Sequence, residues 1–432
     1  MAAISKARER TPGSGLRAER TARTRESIIA AARELFATRG YRSTSLREIA
    51  ASAGISHPGL LRHFAGKADL LAHVVESLEA DNLAALLIVS ESAEPGALVF
   101  EEVAARNETV PGYLPLFATL IGEASSTQHP AHERMRARYA TMLPWSIDAF
   151  EAAQAHGVVE EERDAAGEAF RLTAAWDGLQ VIEQYLPDSV SVVTTLGDHA
   201  TLLAYAPGWS DATDEQPETG AHELPQLPSF GGEEQVPSAG YRSGHARRED
   251  IVAGAMRLFA AEGYGDTSIQ NIAEHIGISK STLLHHYPSK EDLLRAVVRA
   301  RDAGIASHPS YSAQATAADQ LRSLAEEAAT NTRESPGLIE VYAVLSCEAV
   351  PGDHPAHEYF VDRFDKTIQY FSALFRAAQQ DGDLPSHRDP EHEARWLVAL
   401  WDGLQYQWLY DRTVDVAAHL DAHLADVLPS AR

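Results

Sequence analysis

The chain of 432 residues lacks features that would place it in several common protein classes. Its longest apolar run, from Leu83 to Val89, is far shorter than the ~18–20 residues that cross a bilayer, so no membrane partner is expected. A single cysteine, Cys347, excludes an internal disulfide and favours a reducing cytoplasm as the location. No apolar segment follows the basic N-terminus, so we expect no secretory signal.

Common catalytic motifs are also missing. The sequence has no HExxH motif, no phosphate-binding glycine loop and no GxSxG turn, so we expect no enzyme, no catalytic residues, no cofactor and no metal. The alternative, a metal-dependent helical enzyme, rests on two histidine pairs with i,i+3 spacing, His129/His132 and His354/His357. Proline after the first histidine of each pair can open a helix, which favours partly exposed histidines without metal.

Positive charge is scarce, with 37 Lys and Arg against 62 Asp and Glu and a net charge of −25. Such a balance argues at first against a nucleic-acid partner, but the charge is unevenly distributed. Residues 1–75 hold 13 basic and 6 acidic residues, a net charge of +7, and residues 241–300 have a net charge of +1. The remaining chain carries −33. We therefore expect basic segments that contact phosphate and an acidic body that is repelled by it.

One long segment occurs twice. The 46 residues from Glu26 align without a gap with the 46 residues from Glu249 at a constant offset of 223, and 23 positions are identical. Further along, at an offset of 225, HPAHE at 129–133 matches 354–358 and WDGLQ at 176–180 matches 401–405. A repeat of this extent indicates that a whole folded unit of about 200 residues is duplicated.

Hydrophobic periodicity predicts an all-α fold for each copy. Apolar residues recur at helical spacing at Ile28, Ile29, Ala32, Leu35 and Phe36. Gly40 is suited to end that helix, and Ser45 with Glu48 forms a capping-box pattern for the next one. Gly54 supplies a turn, and Ser56 can cap a third short helix that runs to about residue 64. Two short helices joined by a glycine-containing turn are the helix-turn-helix pattern, and it appears in both copies.

The composition between and before the copies predicts disorder. Residues 207–244 are rich in Pro, Gly, Ser and acidic residues, and as a flexible coil of about 38 residues they would span about 30–37 Å. The arginines of residues 1–22 either enter a minor groove or form a solvated tail. The predicted domains are a basic arm at 1–22, helix-turn-helix domains at 23–71 and 245–294, helical ligand-binding and dimerisation domains at 72–206 and 295–432, and a linker at 207–244.

Both repeated segments resemble the DNA-binding domain of the tetracycline-repressor (TetR) family of bacterial regulators. The resemblance rests on LFATRGY and LFAAEGY, on TSLREIAASAGIS and TSIQNIAEHIGIS, and on LLRHF and LLHHY, each followed by a lysine. It covers about 50 residues per copy, and the helical remainder resembles the family's ligand-binding and dimerising domain less specifically. Leu61 and Leu284 stand where many members carry a tyrosine that contacts phosphate. We expect both, like Leu60 and Leu283, to lie in the core.

The resemblance implies that the third helix of each copy enters the major groove with its first turn at the base edges. The candidate base-reading residues are His57, Pro58, Gly59 and Arg62 in the first copy and Lys280, Ser281, Thr282 and His285 in the second. Candidate phosphate contacts at helix starts are Thr44, Ser45, Lys67, Thr267, Ser268 and Lys290, while His63 and His286 serve either there or in helix packing. Since the two third helices differ at nearly every exposed position, we expect double-stranded operator DNA with two non-identical half-sites, about 34–36 Å apart.

The resemblance also implies a small, largely apolar effector that changes the spacing of the DNA-binding domains. Candidate pocket residues are Phe117, Glu123, Trp145, Phe150, Trp176 and Gln180 in the first copy and Tyr342, Glu348, Tyr370, Phe375, Trp401 and Gln405 in the second. Aromatic residues at helical spacing also serve as core. The sequence leaves open whether both pockets bind a ligand.

In the family, the last two helices of each unit form a four-helix dimer interface, here Glu168–Tyr185 with Val190–Ala204 and Glu393–Tyr410 with Val414–Leu428. Because both copies share one chain, each is present at a high effective concentration for the other, so we expect an intramolecular pseudo-dimer. A homodimer with four DNA-binding domains is the alternative. The predicted function is a ligand-responsive transcriptional repressor, and the sequence does not separate repressor from activator.

Overall fold

The computed structural model describes residues 12–210, 224–230, 242–306 and 316–429. Within these ranges the chain forms eighteen helices and no strand, which confirms the all-α prediction. The first unit contains α1 Pro12–Ser43, α2 Leu46–Ser52, α3 His57–Leu60, α4 Lys67–Ser92, α5 Phe100–Glu108, α6 Tyr113–Glu123, α7 His132–Ala155, α8 Ala165–Tyr185 and α9 Val192–Leu202. The second unit contains α10 Arg242–Asp266, α11 Ile269–Ile276, α12 Lys280–His286, α13 Lys290–Ala306, α14 Ala317–Glu334, α15 Pro336–Glu348, α16 His357–Gln380, α17 Pro390–Tyr410 and α18 Val416–Val427.

The first three helices of each unit form a small domain that we call a head, and the remaining helices form its body. The residues that the sequence predicts to end, cap and connect the helices of the first head do so in the structure. Gly40 has φ 76°, which breaks α1 before its end, and Ser45 and Glu48 exchange both hydrogen bonds of a capping box at the start of α2. Gly54 has φ 69° in the turn between α2 and α3. A positive φ costs glycine little, so each break falls at a residue without a Cβ.

The third helix of the first head is shorter than the sequence suggested. It ends at Leu60 instead of near residue 64, and residues 61–63 form a turn. Pro58 and Gly59 make up half of this four-residue helix, and glycine is among the weakest helix formers. The corresponding α12 has neither residue and runs on to His286. Leu60 and Leu283 are buried as predicted, whereas Leu61 is 44% exposed and Leu284 is half-buried, which corrects their assignment to the core.

Two predictions of disorder need correction. Helix α1 begins at Pro12, so residues 12–22 of the predicted arm are its first turns, and residues 1–11 lie outside the described residues. In the predicted linker, residues 207–210 follow the first unit, residues 242–244 begin α10, and residues 224–230 are irregular but ordered against the second unit. Leu224 and Leu227 pack on the apolar core there, a contact that the overall polarity of the linker concealed. The other linker residues lie outside the described residues.

The two bodies pack against each other around a pseudo-two-fold axis. The hydroxyl of Tyr185 donates to the carbonyl of Ser346, and the hydroxyl of Tyr410, its counterpart at the offset of 225, donates to the carbonyl of Ile121. The imidazole of His132 stacks on Tyr410, and the imidazole of His357 packs on Tyr185. Reciprocal contacts of this kind are the signature of a two-fold interface.

Helices α8 and α17 form the centre of this interface and cross at two glycines. A methyl group on Gly178 would overlap the backbone of Ala399, and one on Gly403 would overlap the backbone of Ala174. Outside this crossing, His199 of α9 stacks on Trp396 of α17, with ring centroids 3.4 Å apart. The four helices that the sequence predicts to form the interface therefore meet in the structure. Helices α9 and α18 flank the central pair, α8 and α17.

Among the described helices, none is both long and apolar enough to cross a membrane.

Candidate DNA-binding heads and effector cavities

The third helix of the first head presents a short, exposed surface. The side chains of Pro58 and Arg62 are exposed, and His57 and Gly59 are half-buried. The hydroxyl of Ser56 accepts a hydrogen bond from the N–H of Gly59, which fixes the first turn. The surface that faces solvent therefore holds one permanent cation, Arg62, which can donate to guanine or to phosphate.

The third helix of the second head presents a different surface. Lys280, Ser281, Thr282 and His285 are all exposed. The hydroxyl of Ser279 accepts from the N–H of Thr282 at 3.1 Å and lies within hydrogen-bond distance of the hydroxyls of Ser281 and Thr282. This head therefore offers one lysine and a group of hydroxyls where the first head offers proline, glycine and arginine.

The predicted phosphate contacts divide into exposed and buried residues. Ser45 and Ser268 are exposed at the starts of α2 and α11, where free N–H groups favour an anion. Thr44 and Thr267 are buried instead, and their hydroxyls donate to the carbonyls of Gly40 and Gly263. Their predicted side-chain contact with phosphate is thus corrected: each stabilises the break after the first helix of its head.

Lys67 and Lys290 stand at the starts of α4 and α13. The ammonium of Lys67 lies 4.4 Å from the ring centroid of Tyr41, and that of Lys290 lies 4.1 Å from the ring centroid of Tyr264. Both side chains are half-buried, and a cation–π contact of this kind holds the charge in one place. These lysines can therefore present a fixed positive charge beside α2 and α11.

His63 and His286 are half-buried at the ends of the third helices. The carbonyl of His63 accepts from the guanidinium of Arg25, which also lies over Phe64. Burial, with His285 and two nearby arginines, lowers the pKa of His286, which favours its neutral form. The hydrogen bond of His63 is made by its backbone, so both predicted roles of the two imidazoles, phosphate contact and helix packing, stay predictions.

A carboxylate joins the second head to its body. Oε2 of Glu348, at the end of α15, accepts from the N–H of Tyr264, and Oε1 accepts from the N–H of Gly265, each at 2.5 Å. On the first unit, Glu123 of α6 lies at the equivalent place, beside Gly40, with Oε2 3.8 Å from Nε2 of His129. Both glutamates were predicted to line ligand pockets. They lie at the joints between head and body instead.

Each body contains a cavity. The first has a volume of about 430 Å³ and lies between α4, α5, α7 and α8; the predicted pocket residues Trp145, Trp176 and Gln180 are among its lining. The second has a volume of about 510 Å³, and the predicted pocket residues Tyr342, Tyr370, Trp401 and Gln405 are among its lining. Both volumes fall in the range of cavities that hold small organic ligands.

Three further predicted pocket residues belong to the core. Phe117, Phe150 and Phe375 are almost fully buried and line neither cavity. Phe117, for example, packs on Tyr113 with ring centroids 4.5 Å apart. Aromatic residues at helical spacing can fill the core or line a pocket, so the sequence pattern could not separate core residues from pocket residues.

Sequence reasoning missed the charged residues of both cavities. Arg138 and Asp177 line the first, and Arg363 and Asp402, their counterparts at the offset of 225, line the second. Burial raises the pKa of Asp177 and of Asp402 to about 6 against the opposing influence of these arginines. The sequence did hold a signal for the two aspartates. Each lies in the repeated WDGLQ segment, directly after the predicted pocket residue Trp176 or Trp401.

The repeated histidine pairs have structural partners. Nδ1 of His132 lies 2.9 Å from the carbonyl of Ala124, and Nδ1 of His357 lies 3.0 Å from the carbonyl of Ala349. The rings of His129 and His354 pack edge-on against Tyr41 and Tyr264 at the joints between heads and bodies. Among the described residues, no group of three or more potential ligands could hold a metal ion.

Comparison with known proteins gives matches over both units. The model of "Bacterial regulatory proteins, tetR family" matches residues 28–74 and again 251–297, and that of "BetI-type transcriptional repressor, C-terminal" matches residues 317–429. The HTH-type transcriptional regulator SrpR of Pseudomonas putida is 24% identical over 170 residues, which is 38% of this chain and 75% of SrpR. The HTH-type transcriptional repressor BepR of Brucella suis is 23% identical over 200 residues, 43% of this chain and 91% of BepR.

Among solved structures, a putative transcriptional regulator from Saccharomonospora viridis in complex with choline is 26% identical. The match covers 42% of this chain and 95% of that one, with a TM-score of 0.35. Two helix-turn-helix heads on helical bodies define a DNA-binding transcription regulator. The chain belongs to the TetR family of bacterial regulatory proteins, with the family's unit present twice.

Proposed function

We propose that this regulator is a cytoplasmic, ligand-responsive repressor whose two units pair within one chain and read two non-identical half-sites of one operator. The observation that carries the proposal is the difference between the exposed surfaces of α3, with the turn that follows it, and of α12. The first offers Pro58 on the helix and Arg62 in the turn, and the other offers Lys280 with nearby hydroxyl groups. Arginine and lysine donate hydrogen bonds to guanine, whereas a hydroxyl can form a hydrogen bond with several different bases. The two heads therefore favour different sequences.

The interface between the bodies supports pairing of a first unit with a second unit. Gly122 of α6 faces Cys347 of α15 so closely that a Cβ on Gly122 would lie 2.5 Å from that of Cys347. These are equivalent positions at the offset of 225. Two first units would place glycine against glycine and leave a void, and two second units would place cysteine against cysteine and overlap.

A buried ion network supports the same pairing. Asp426 of α18 accepts from Arg163 of the first unit at 3.2 Å and from Arg388 of the second unit at 2.8 Å. Burial alone would raise the pKa of Asp426, but the two arginines hold it below its usual value. The position equivalent to Asp426 in the first unit is Thr201, so two first units would leave buried arginines without this carboxylate.

The cavities and joints support a response to a small molecule. Asp402 lines the second cavity and Glu348 of the same body binds the backbone of the second head. The "BetI-type transcriptional repressor" match over residues 317–429 and the relative named a repressor favour repression over activation. A ligand that moves the helices of a body would shift its joint and thereby the distance between the heads.

Selection of binding sites from random DNA with the purified full chain tests the proposal. We expect two different half-sites with centres about 34–36 Å apart and an affinity that falls steeply with salt. Arg62→Ala should relax the sequence preference at one half-site only and Lys280→Ala at the other only, each at a cost of about 1–3 kcal/mol. A perfect inverted repeat, or equal effects of both variants on both half-sites, would contradict the proposal.

A further inference from the structure

The second cavity differs from the first because the linker contributes to its wall. Leu227, Pro228, Ser229 and Phe230 line the second cavity, and we call residues 227–230 the strap. The strap ends 69 residues before Arg299, the next described residue that lines this cavity. Every residue described as lining the first cavity comes from the helices of its own body.

The strap is held by specific contacts with α16. The guanidinium of Arg363 lies 4.5 Å from the ring centroid of Phe230, and the ammonium of Lys366 donates to the carbonyl of Ser229 at 3.4 Å. Arg363 is itself fixed, because it donates to Asp302 of α13 at 2.8 Å. Phe230 and Leu227 are half-buried by these contacts.

The first helix of each body lines its cavity. Helix α4 lines the first cavity along Glu79, Asn82, Leu83 and Leu86, whereas the described part of α13 contributes Arg299, Arg301 and Asp302 to the second. Leu83 and its neighbours Leu87 and Ile88 remain 54–68% exposed, so the outer side of α4 is uncovered at this end. A cavity of about 510 Å³ persists beneath the strap, which shows that the strap covers the space without filling it.

We propose that the strap is a lid on the second cavity, so that a linker segment controls access to this cavity, whereas the described lining of the first cavity includes no linker residue. A small, mainly apolar ligand in the second cavity would contact Leu227 and Phe230 of the strap and the polar side chains of Asp402 and Gln405 on α17. A ligand that contacts the strap therefore acts on the segment that connects the first body to the second head. The inference rests on the proposed role of the cavities as effector sites and assigns the linker a role in access to the second cavity.

Thiol accessibility tests the lid without any effector or DNA. The native Cys347 is fully buried, so a cysteine introduced into a cavity is the reactive one. Val398 lines the second cavity and Thr173, its counterpart at the offset of 225, lines the first. The rates at which Val398→Cys and Thr173→Cys react with 4,4′-dithiodipyridine, a small neutral aromatic disulfide, are compared in the full chain, with the native chain as the blank.

The reaction rates are then measured again in chains that also carry the double substitution Leu227→Ser and Phe230→Ser. This substitution removes the apolar side chains of the strap. We expect the reaction of Val398→Cys to become about tenfold faster or more, as loss of a few closing contacts allows, and that of Thr173→Cys to stay the same. An unchanged rate for Val398→Cys would overturn the lid. If Val398→Cys does not fold, Thr367→Cys and its counterpart Met142→Cys, which also line the two cavities, make the same comparison. The thiol measurement requires no DNA binding. A result that contradicts the lid is therefore distinguishable from a result that contradicts the proposed function.

Discussion

At the scale of single residues, one carboxylate contributes two hydrogen bonds to the contact between the second body and its head. Glu348 accepts from two consecutive backbone N–H groups, those of Tyr264 and Gly265, directly after the break at Gly263. Hydrogen bonds from backbone N–H groups to a carboxylate are stronger than those to a neutral acceptor. The position of the second head therefore depends on a residue that the sequence pattern had placed in the ligand pocket.

Replacing Glu348 by glutamine should loosen this joint selectively. The amide keeps the shape but turns an N–H donor toward one of the two backbone N–H groups, which costs about 1–3 kcal/mol in a buried place. Amide hydrogen exchange at Tyr264 and Gly265 should become about tenfold to a hundredfold faster. The matched variant Glu123→Gln should leave exchange at these two amides unchanged. Equal protection of Tyr264 and Gly265 in Glu348→Gln and the native chain would show that the carboxylate does not hold the head.

At the scale of helices, the crossing of α8 and α17 is set by the absence of two side chains. Gly178 and Gly403 allow each helix to rest on the backbone of the other, at Ala399 and Ala174. Backbone cannot move aside as a flexible side chain can, so a single methyl group forces the helices apart. The contacts on both sides of the crossing, including those of Tyr185 and Tyr410, depend on this approach.

Substitution of Gly403 by alanine should therefore destabilise the whole interface. We expect the free energy of unfolding to fall by about 3 kcal/mol or more, measured from urea denaturation. Gly337 near the start of α15 is the control, because nothing lies within 4 Å of a Cβ built there. Gly337→Ala should be neutral or stabilise by about 0.4–1 kcal/mol. Equal midpoints for the two variants would rule out the close crossing.

At the scale of the whole molecule, the two units are similar in fold and complementary at their interface. Gly122 faces Cys347, and a single carboxylate, Asp426, serves an arginine from each unit. The linker ties the complementary partners together, which raises their effective concentration above that of any second chain. The same linker provides the strap on the second cavity, so connection and ligand access share one segment.

Light scattering on the purified protein should therefore give the mass of one chain, 46.9 kDa, at all concentrations tested. Pairing within the chain already uses the described interface helices α8, α9, α17 and α18, and intramolecular pairing does not depend on dilution. The control is a dilution series on the same sample. A mass that is twice this value, or that rises with concentration, would favour the homodimer with four heads.

The sequence by itself determined the duplication, the all-α fold and the helix-turn-helix heads, because these follow from local signals. Apolar spacing, the Ser45 and Glu48 capping pair and the turn at Gly54 act over a few residues. The difference between Arg62 and Lys280 is likewise visible in the alignment of the two copies. The same local logic failed where one residue type fits two environments, as for Leu61 and Phe117.

Only the tertiary structure decided the joints, the cavity walls and the strap. Glu348 meets a backbone N–H 84 residues away, and Arg163 meets a carboxylate 263 residues away. Periodicity shows which face of a helix is buried, but the partner on that face is chosen by how the helices pack. The role of Glu348 as a joint and of Phe230 as part of a cavity wall arises from that packing, which is why neither could be read from the sequence.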